Sequence, residues 1–501
     1  MRDRFLFVRP PRPLWPFNGP TTAFWPPLAF ASLAAALRQG VPDLDVGILD
    51  APALQMGWRS LEAELRRHRP TYVGIGEEAV SCVEGFRLAR LAQALGARVI
   101  AGGCFFGHVA EEVLSTGLVD VVVHGEGEVT IVELIAALRT QRASELERVA
   151  GISFRDGDAV RRTVARGLIA DLDRLPMPAY DLLPVAQYGA RSRNHPALAA
   201  IELGRGCIDT CDFCVLWRQM GRAVSGRVTP ALRVKSADRL FEEIKVLAER
   251  HGRRYLGWVD PCFNAHPKVP GELAERLLRA GLRLGQSAWA RADTIVRDAA
   301  SGALATCVDS GLNELYLGVE RPDPSGLATL CKHLDPGRTR EAMRILRARF
   351  PGVCVVGSFI YGLPGDTPAL MRAIHRMAGE LDLDQFFFIP LTPLPGTPGW
   401  RSDMWDPTGQ AFRRFNFLPT ANRRGRLAEL ERALALSVLL HWHPARIAAH
   451  LRKLCLREAR RRRVTWHLVS RAATFQIRRF MEATFGWTPT DGLIFPAWYE
   501  N

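Results

Sequence analysis

The first 140 residues alternate short, continuously apolar runs with longer segments whose apolar residues recur at helical spacing. The short runs have no polar face, which is typical of parallel strands buried between two layers of helices. We predict strands at 4–8, 45–50, 72–76, 98–103 and 119–125, and helices at 28–40, 61–70, 84–96 and 130–140. This order predicts a doubly wound, Rossmann-like α/β domain over residues 1–140, in which ligands bind beyond the carboxyl ends of the strands.

The middle of the chain predicts a linker and then a second α/β domain. A hairpin turning at Asp156 and Gly157 and a Pro-rich segment at 171–184 indicate an ordered linker over 141–195. Six longer strand-helix units follow in residues 196–400, and the helix at 237–252 has Ser236 as its expected N-cap. The six strands are predicted at 197–203, 255–260, 284–291, 314–320, 353–362 and 385–394. They predict a partial (β/α)6 barrel with its functional residues at the strand ends.

Residues 401–501 read as mainly helical and basic, with 18 Lys and Arg against 8 Asp and Glu in a chain of net charge +14. The clearest helix is 425–443, and the run REARRRR at 457–463 indicates a solvated face, an anion site, a docking site for an acidic electron donor or a membrane-surface contact. We expect the aromatic segment 485–501 to close over the barrel mouth. No apolar stretch is long enough to span a membrane or resembles a signal peptide, so we expect a cytoplasmic protein.

Ten cysteines are present, but only Cys207, Cys211 and Cys214 form a cluster. A structural zinc site needs four protein ligands, whereas three cysteines hold three irons of an iron-sulfur cube and leave the fourth iron free for another ligand. A three-cysteine zinc site with water as its fourth ligand, or three unrelated buried cysteines, are the alternatives.

The C-x3-C-x2-C spacing, with Phe213 before the last cysteine and with its place after the first barrel strand, resembles the radical S-adenosylmethionine (SAM) superfamily. In that superfamily the free iron of a 4Fe-4S cluster binds SAM. The resemblance implies that the cluster is held by the three cysteines and that SAM is contacted by Phe213, Asp260, Arg291, Glu320, Gly362 and Pro364.

Small residues at 26–37, 101–107 and 122–128 lie on the first helix and at the ends of the fourth and fifth strands. Placed before a radical SAM motif, they resemble the cobalamin-binding domain of cobalamin-dependent radical SAM enzymes. That resemblance implies cobalamin contacts at Asp50, Gly76, Glu78, Gly102, Gly103, Gly107, Gly125, Glu126, Gly127 and Glu128. The segment 48–60 contains Asp50 but no histidine of a DxHxxG motif, which implies a cobalt whose lower face is empty or bears water.

Within this group the barrel resembles the anaerobic magnesium-protoporphyrin monomethyl ester cyclases and the class B radical SAM methyltransferases. The implied activity is hydrogen abstraction by a 5′-deoxyadenosyl radical, followed by transfer of a methyl group from methylcobalamin to the substrate carbon. The alternatives are an oxidative cyclase that uses cobalamin without methyl transfer, and an RNA-modifying radical SAM enzyme. The implied partners are a small-molecule or peptide natural product and a flavodoxin- or ferredoxin-type electron donor, and nucleic acid is not expected.

Overall fold

The computed structural model describes residues 2–12, 25–76, 81–190, 192–224, 226–405, 436, 439–470, 473 and 495–501. The N-terminal part contains one seven-stranded sheet in the order β2-β1-β3-β4-β5-β6-β7. The first five strands are parallel and the last two are antiparallel. The strands are β1 Arg4–Arg9, β2 Asp45–Asp50, β3 Tyr72–Ile75, β4 Arg98–Ala101, β5 Val121–Val123, β6 Ile152–Asp156 and β7 Ala159–Arg162.

Helices cover both faces of this sheet, as expected for a doubly wound fold. Phe5 and Phe7 point to one face and pack with α1 and α7 residues, whereas Leu6 and Val8 point to the other face and pack with α3 and α4 residues. The helices are α1 Leu28–Gly40, α2 Ala51–Leu54, α3 Trp58–His68, α4 Cys82–Ala94, α5 Gly103–Phe106, α6 Ala110–Ser115, α7 Glu128–Thr140 and α8 Ala143–Leu146. The predicted strands and helices of residues 1–140 are therefore confirmed within a few residues at their ends.

The hairpin β6–β7 differs in position from the prediction. It turns at Asp156 and Gly157 as expected, but β6 pairs with β5 and so extends the N-terminal sheet to Arg162, instead of lying in a linker. The backbone groups at the edge of β5 are satisfied by this pairing, which local sequence patterns do not specify. Three single turns of 3₁₀-helix then form the connection to the barrel, at Leu172–Arg174, Tyr180–Leu182 and Val185–Gln187.

Six parallel strands form the second sheet, in the order β17-β16-β15-β14-β13-β8. The partial barrel is therefore confirmed, since neighbours in sequence are neighbours in space. Two small antiparallel pairs, β9 with β12 and β10 with β11, were not predicted. The strands are β8 Leu198–Ile201, β9 Gly204–Gly206, β10 Arg222–Val224, β11 Arg227–Thr229, β12 Leu232–Val234, β13 Tyr255–Trp258, β14 Gly285–Ala290, β15 Leu312–Glu320, β16 Cys354–Tyr361 and β17 Gln385–Pro390.

The barrel helices lie on the outside of the six-stranded sheet. Ser236 caps the predicted helix, because its hydroxyl accepts the Arg239 N–H at 3.1 Å. That helix, α10, continues as a π-helical turn over Val246–Arg250. The helices are α9 Leu216–Gln219, α10 Ala237–Lys245, α11 Val269–Arg279, α12 Ala292–Ser301, α13 Ala303–Ser310, α14 Pro324–Thr329, α15 Pro336–Arg349 and α16 Pro368–Glu380.

The basic run at 457–463 is largely bound within the protein. Arg461 is 3% exposed, and its Nε donates to Asp384 at 2.8 Å. Arg460 donates to the Asn313 carbonyl at 3.0 Å and to the Tyr255 hydroxyl at 3.1 Å. These partners lie at the amino ends of β17, β15 and β13, so the run 457–463 covers the amino-terminal end of the barrel. It is therefore not the wholly solvated face that was one of the predictions.

Helix α17, Pro444–Arg452, and the helical residues 459–470 agree with a helical C-terminal region. The predicted helix 425–443 lies mostly outside the described residues. Of the aromatic segment expected over the barrel mouth, the structure describes 495–501, which instead contacts the N-terminal domain: the Tyr499 hydroxyl donates to Glu84 at 2.9 Å and Glu500 pairs with Arg87 at 3.0 Å. No helix within the described ranges is long and apolar enough to cross a membrane.

Candidate active site

The loop that carries the three cysteines begins at β9, which pairs antiparallel with β12. The last residue of β9, Gly206, has a φ of 101°, and a Cβ built on it would lie 1.6 Å from the Ala231 carbonyl oxygen. Glycine is required there because any side chain would disfavour this φ and would clash with the backbone immediately before β12. The chain therefore turns sharply immediately before Cys207, at the carboxyl end of the first barrel strand.

The three cysteines share this loop but differ in exposure. Cys211 is buried, whereas Cys207 and Cys214 are partly exposed. Burial raises the pKa of the Cys211 and Cys214 thiols, and a neighbouring cysteine raises each further. Among the residues described, no group of three or more Cys, His, Asp or Glu side chains is arranged to hold one metal ion. Each thiolate of a 4Fe-4S cube binds a different iron, so cysteines spaced along one loop suit such a cluster.

Arg291 lies at the end of β14 as predicted, but its guanidinium is largely occupied. It donates two parallel bonds to Asp293 at 3.0 and 2.9 Å, one to the His333 carbonyl at 2.8 Å and one to Asp209 of the cysteine loop. Burial opposes ionisation of Asp209, but the His333 hydrogen bond and the Arg291 charge outweigh it and hold the pKa of this carboxyl well below its usual range. Arg291 thus positions the cysteine loop through Asp209, and its contact with SAM stays a prediction.

Glu320 ends β15 in a strained conformation, with a φ of 62° after a register shift from Gly318. Burial raises the pKa of its carboxyl, and the Lys332 ammonium 3.4 Å away opposes that rise. Gly318 makes room for the pair, because a Cβ there would lie 2.6 Å from a Glu320 oxygen and 3.2 Å from Lys332 Nζ. The Asp212 N–H donates to the Leu330 carbonyl at 3.0 Å, and the Cys331 thiol donates to the Asp212 carboxylate at 3.2 Å, so the segment that carries Lys332 borders the cysteine loop. Strain of this kind concentrates at functional sites.

The sequence analysis missed Lys332. The chain has only five lysines among its 66 Lys and Arg residues. The ammonium group of lysine is a compact charge, whereas the guanidinium group of arginine is planar and spreads its charge over three nitrogens. In a chain that uses arginine so strongly, each lysine could therefore have been singled out as a candidate site residue. Asp209 and His333 carried no comparable signal, because their roles depend on contacts between distant loops.

The Asp260 side chain is buried and binds the backbone just before the cysteine loop. Its carboxylate is 4% exposed and accepts the Leu203 N–H at 2.9 Å and the Gly204 N–H at 2.7 Å. Burial raises the pKa of Asp260 to about 7, although these two backbone N–H groups oppose the rise. A carboxyl group beside β13 thus fixes Leu203 and the first residue of β9, immediately before the cysteine loop.

We expect Asp260→Asn to remove a pH dependence of stability. A pKa raised to about 7 from 3.8 means that the folded protein holds a proton which the unfolded chain has released. The free energy of unfolding of the wild type should then fall as pH rises, by about 1.4 kcal/mol per unit between about pH 5 and about pH 6.5, and level off above about pH 7. Asparagine does not titrate, so urea unfolding at several pH values should show the wild type losing stability relative to the variant. A difference that is constant across this range would contradict the prediction.

The turn predicted to line the adenine, which contains Gly362 and Pro364, follows β16 at the same end of the barrel. Its backbone is fixed by Asp366, which accepts the Gly362 N–H at 2.7 Å and the Leu363 N–H at 2.9 Å. Phe213 of the cysteine loop packs against the small apolar cluster that contains Leu363. The structure thus brings Phe213 and this turn together, as a shared SAM pocket requires.

The N-terminal sheet presents its own row of small residues at the carboxyl edge. The glycines predicted to face cobalamin meet there: Gly76, Gly102, Gly103, Gly107 and Gly125. His124 joins β5 to this edge, because its Nδ1 donates to the Gly107 carbonyl at 3.0 Å and its Nε2 accepts from Ser153 at 2.8 Å. Burial lowers the pKa of His124 to about 4, so the ring is neutral at pH 7. Gly103 and Gly125 are exposed, which leaves a side-chain-free edge that fits a large flat ligand such as cobalamin.

Other predicted cobalamin contacts have different surroundings. Asp50 is 0% exposed, caps α2 and accepts the Tyr188 hydroxyl at 2.6 Å, so its carboxylate is committed to the protein interior. Gly127 allows α7 to approach α1, since a Cβ there would lie 2.9 Å from Leu33. Glu78 lies outside the described residues.

Glu126 and Glu128 also have protein partners, and these partners belong to the barrel. Arg205, two residues before Cys207, donates to Glu126 at 2.9 Å, to Glu128 at 2.6 Å and to Glu202 at 3.1 Å. Arg233 of β12 donates to Glu126 at 2.7 Å. We call these five residues the interdomain ion-pair cluster. It binds the turn after β5 directly to the strand pair that carries the cysteine loop, and a contact of either glutamate with cobalamin stays a prediction.

Comparison with known proteins identifies both domains. Family models match the radical SAM superfamily over residues 201–378 and the B12 binding domain over residues 18–135. An uncharacterized methyltransferase of Pyrococcus horikoshii is 29% identical over 378 residues, which are 75% of this chain and 78% of that protein. The anaerobic magnesium-protoporphyrin IX monomethyl ester cyclase of Cereibacter sphaeroides is 26% identical over 81% of this chain and 65% of the cyclase.

The fold has a full-length counterpart among solved structures. The radical S-adenosylmethionine methyltransferase TsrM from Kitasatospora setae, solved with cobalamin and a 4Fe-4S cluster bound, matches 97% of this chain and 100% of its own with a TM-score of 0.68 and 18% identity. At that identity the match shows a shared fold. Taken with the two domain matches, it agrees with the three cofactors expected from the sequence: a 4Fe-4S cluster, SAM and cobalamin.

Proposed function

Because the chain joins a B12 binding domain to a radical SAM domain and so belongs with the cobalamin-dependent radical SAM enzymes, we propose that it methylates an unactivated carbon of a small-molecule or peptide substrate. When bound, the cluster and SAM supply a 5′-deoxyadenosyl radical, and cobalamin supplies the methyl group. The observation that carries the proposal is the interdomain ion-pair cluster, which holds the glycine-rich edge of the N-terminal sheet against the start of the cysteine loop. A substrate between the two is within reach of both cofactors.

Different residues around the cysteine loop would make different contacts with SAM. Lys332 is a buried cation beside the cysteine loop and suits the SAM carboxylate, with Glu320 beside it as a hydrogen-bond acceptor. Arg291 has already donated four of its five N–H groups to protein oxygens, so its contribution is to hold Asp209 and the loop. Phe213 and the turn at Gly362 form the apolar side of the same pocket.

The concave face of the barrel sheet is aromatic. Trp289 and Tyr316 have ring centroids 5.1 Å apart, and Trp289 and Phe387 are 6.4 Å apart. Tyr316, Gly318 and Ser358 share one face, and the Glu320 carboxylate lies on that side because it accepts the Ser358 hydroxyl at 3.4 Å. Phe386 on the opposite face meets His375 of α16. An aromatic wall on the Glu320 side favours a substrate with a flat, apolar portion at the site of reaction.

Methyl transfer is favoured over oxidative cyclisation by two findings. The relative with 29% identity is named an uncharacterized methyltransferase, and the chain matches 78% of its length but 65% of the cyclase. The RNA-modifying alternative rested on the basic tail, but Arg460 and Arg461 of that tail bind the barrel floor. Charges committed to protein partners are not free to neutralise phosphates.

The test uses the protein purified anaerobically with cobalamin, with its cluster rebuilt, reduced and given SAM that bears a deuterated methyl group. We expect mass spectrometry to detect labelled methylcobalamin in the protein, without any substrate, because cobalamin must take its methyl group from SAM before passing it on. A Cys211→Ala variant serves as the control: it removes SAM cleavage at the cluster, so 5′-deoxyadenosine should disappear from the same samples. Bound cobalamin that never carries the label would overturn methyl transfer and favour the cyclase reaction.

A further inference from the structure

The hairpin β10–β11 stands out on the surface beside the cysteine loop. Every described residue of its two strands is exposed, including Arg222 and Arg227. Val224 is 48% exposed and Val228 is 39% exposed, so apolar side chains accompany the two arginines. Exposed apolar groups and unpaired strand edges favour association with another molecule.

The hairpin is physically connected to the cysteine loop. A Cβ on Gly221 would lie 2.5 Å from Val228 and 2.6 Å from the Trp217 carbonyl oxygen, so the hairpin packs closely on α9. Trp217 in turn donates its indole N–H to the Cys211 carbonyl at 2.8 Å. Two steps of direct contact therefore lead from Cys211 to the hairpin. Ile208, inside the cysteine loop itself, is 43% exposed.

The charge of this surface has one sign. Residues 213–237 contain five basic residues and no Asp or Glu. Two of the five, Arg233 and Lys235, are paired with Glu126 and Glu243 in the interior. Arg218 pairs with Asp212 at 3.2 Å. For Arg222 and Arg227 the structure records no ion pair with any residue that it describes, so both leave their charge at the surface.

We propose that the β10–β11 hairpin, whose pairing places Arg222, Val224 and Arg227 on one face, is the docking surface for a small acidic one-electron donor protein, with the exposed Ile208 of the cysteine loop adding apolar contact area. A basic patch attracts an acidic partner and speeds their encounter, while a few exposed apolar residues provide contact area for a short-lived complex. In the productive complex the donor is oxidised by one electron and the cluster is reduced by one, with no bond formed or broken. The inference requires the cluster but holds for methyl transfer and for cyclisation alike.

The experiment measures binding and electron transfer separately, on the protein with its cluster. A flavodoxin in its hydroquinone form is the probe, and dithionite, a small reductant that needs no docking surface, is the reference. For the variant Arg222→Glu/Arg227→Glu we expect the Kd for flavodoxin to rise about tenfold or more, and the dependence of binding on salt to weaken, because two attractions become repulsions. Reduction of the cluster by dithionite should be unchanged.

Arg142→Glu/Arg283→Glu is the matched control, since both arginines are exposed but lie at the amino ends of their sheets, away from the cysteine loop. The proposal would be overturned if the hairpin variant and the wild type bound flavodoxin equally well. If, in addition, the variant turned over more slowly with dithionite as the reductant, the hairpin would be identified as a substrate lid. If the charge-reversal variant loses the visible absorbance of its cluster, Arg222→Gln/Arg227→Gln is measured in its place. Its affinity for flavodoxin should weaken about threefold, and an unchanged Kd would count against the proposal.

Discussion

Replacing Arg205 by methionine is expected to lower the free energy of unfolding by about 3–5 kcal/mol and to release cobalamin from the protein. Arg205 is 7% exposed and pairs with Glu126 and Glu128, so its loss leaves two carboxylates buried with fewer partners. It also removes one of the two arginines that connect the turn after β5 to the strand pair carrying the cysteine loop, and leaves Arg233 as the other. Urea unfolding would measure the first effect, and cobalamin absorbance after gel filtration would measure the second.

Two further variants separate stability from positioning. Arg38→Met breaks a pair with Asp181 in which the side chains are 41% and 58% exposed, and should cost under about 1 kcal/mol without affecting cobalamin. The triple variant Arg205→Met/Glu126→Gln/Glu128→Gln removes three of the five charges of the cluster, leaves the residue 126 amide oxygen able to accept from Arg233, and should recover part of the stability, but not the cobalamin. An Arg205→Met protein that keeps both its stability and its cobalamin would show that the ion-pair cluster does not hold the domains together.

Replacing Gly206 by alanine is expected to prevent assembly of the cluster. The added Cβ would lie 1.6 Å from a backbone oxygen at a φ of 101°, so β9 and β12 must separate, at a cost above about 3 kcal/mol. The cysteine loop begins at the next residue and would move with β9. Iron and sulfide analysis and the visible absorbance of the reconstituted protein would report the loss.

Gly281→Ala is the matched control for this effect. Gly281 has a φ of 68° but nothing within 4 Å of a built Cβ, so only the cost of the left-handed backbone remains, about 1 kcal/mol. Its cluster content should equal that of the wild type. Equal cluster content in the Gly206→Ala protein would contradict the importance assigned here to the β9 turn.

The sequence was a good guide wherever a local pattern has a local cause. Continuous apolar runs become buried strands because a strand without a polar face is stable only between two layers, and the six barrel strands follow one another for that reason. Ser236 was identified as a cap because capping involves residues three apart in sequence. The cysteine spacing fixed the candidate cluster site, since three ligands on one loop need no distant partner.

The sequence did not predict which partners the charged side chains would bind. The run at 457–463 reads as a solvated face, but Arg461 is buried against Asp384. The resemblance implied cobalamin contacts for Glu126 and Glu128, which stay a prediction, but the sequence did not indicate that Arg205 and Arg233 pair with these carboxylates across the domain boundary. Each outcome depends on which opposite charge lies nearby after folding, and desolvation makes an unpaired buried charge too costly to persist.

By itself the sequence determined the two α/β domains, the cysteine loop after the first barrel strand and the glycines at the edge of the N-terminal sheet. Hydrophobic period, turn chemistry and ligand spacing are each properties of short stretches of sequence. Only the tertiary structure decided that the hairpin at 152–162 extends the first sheet, that the segment carrying Lys332 borders the cysteine loop and that Arg205 joins the domains. Those features depend on contacts between residues far apart in the chain, and which of the many charges and strand edges meet is fixed by the packing of the whole molecule.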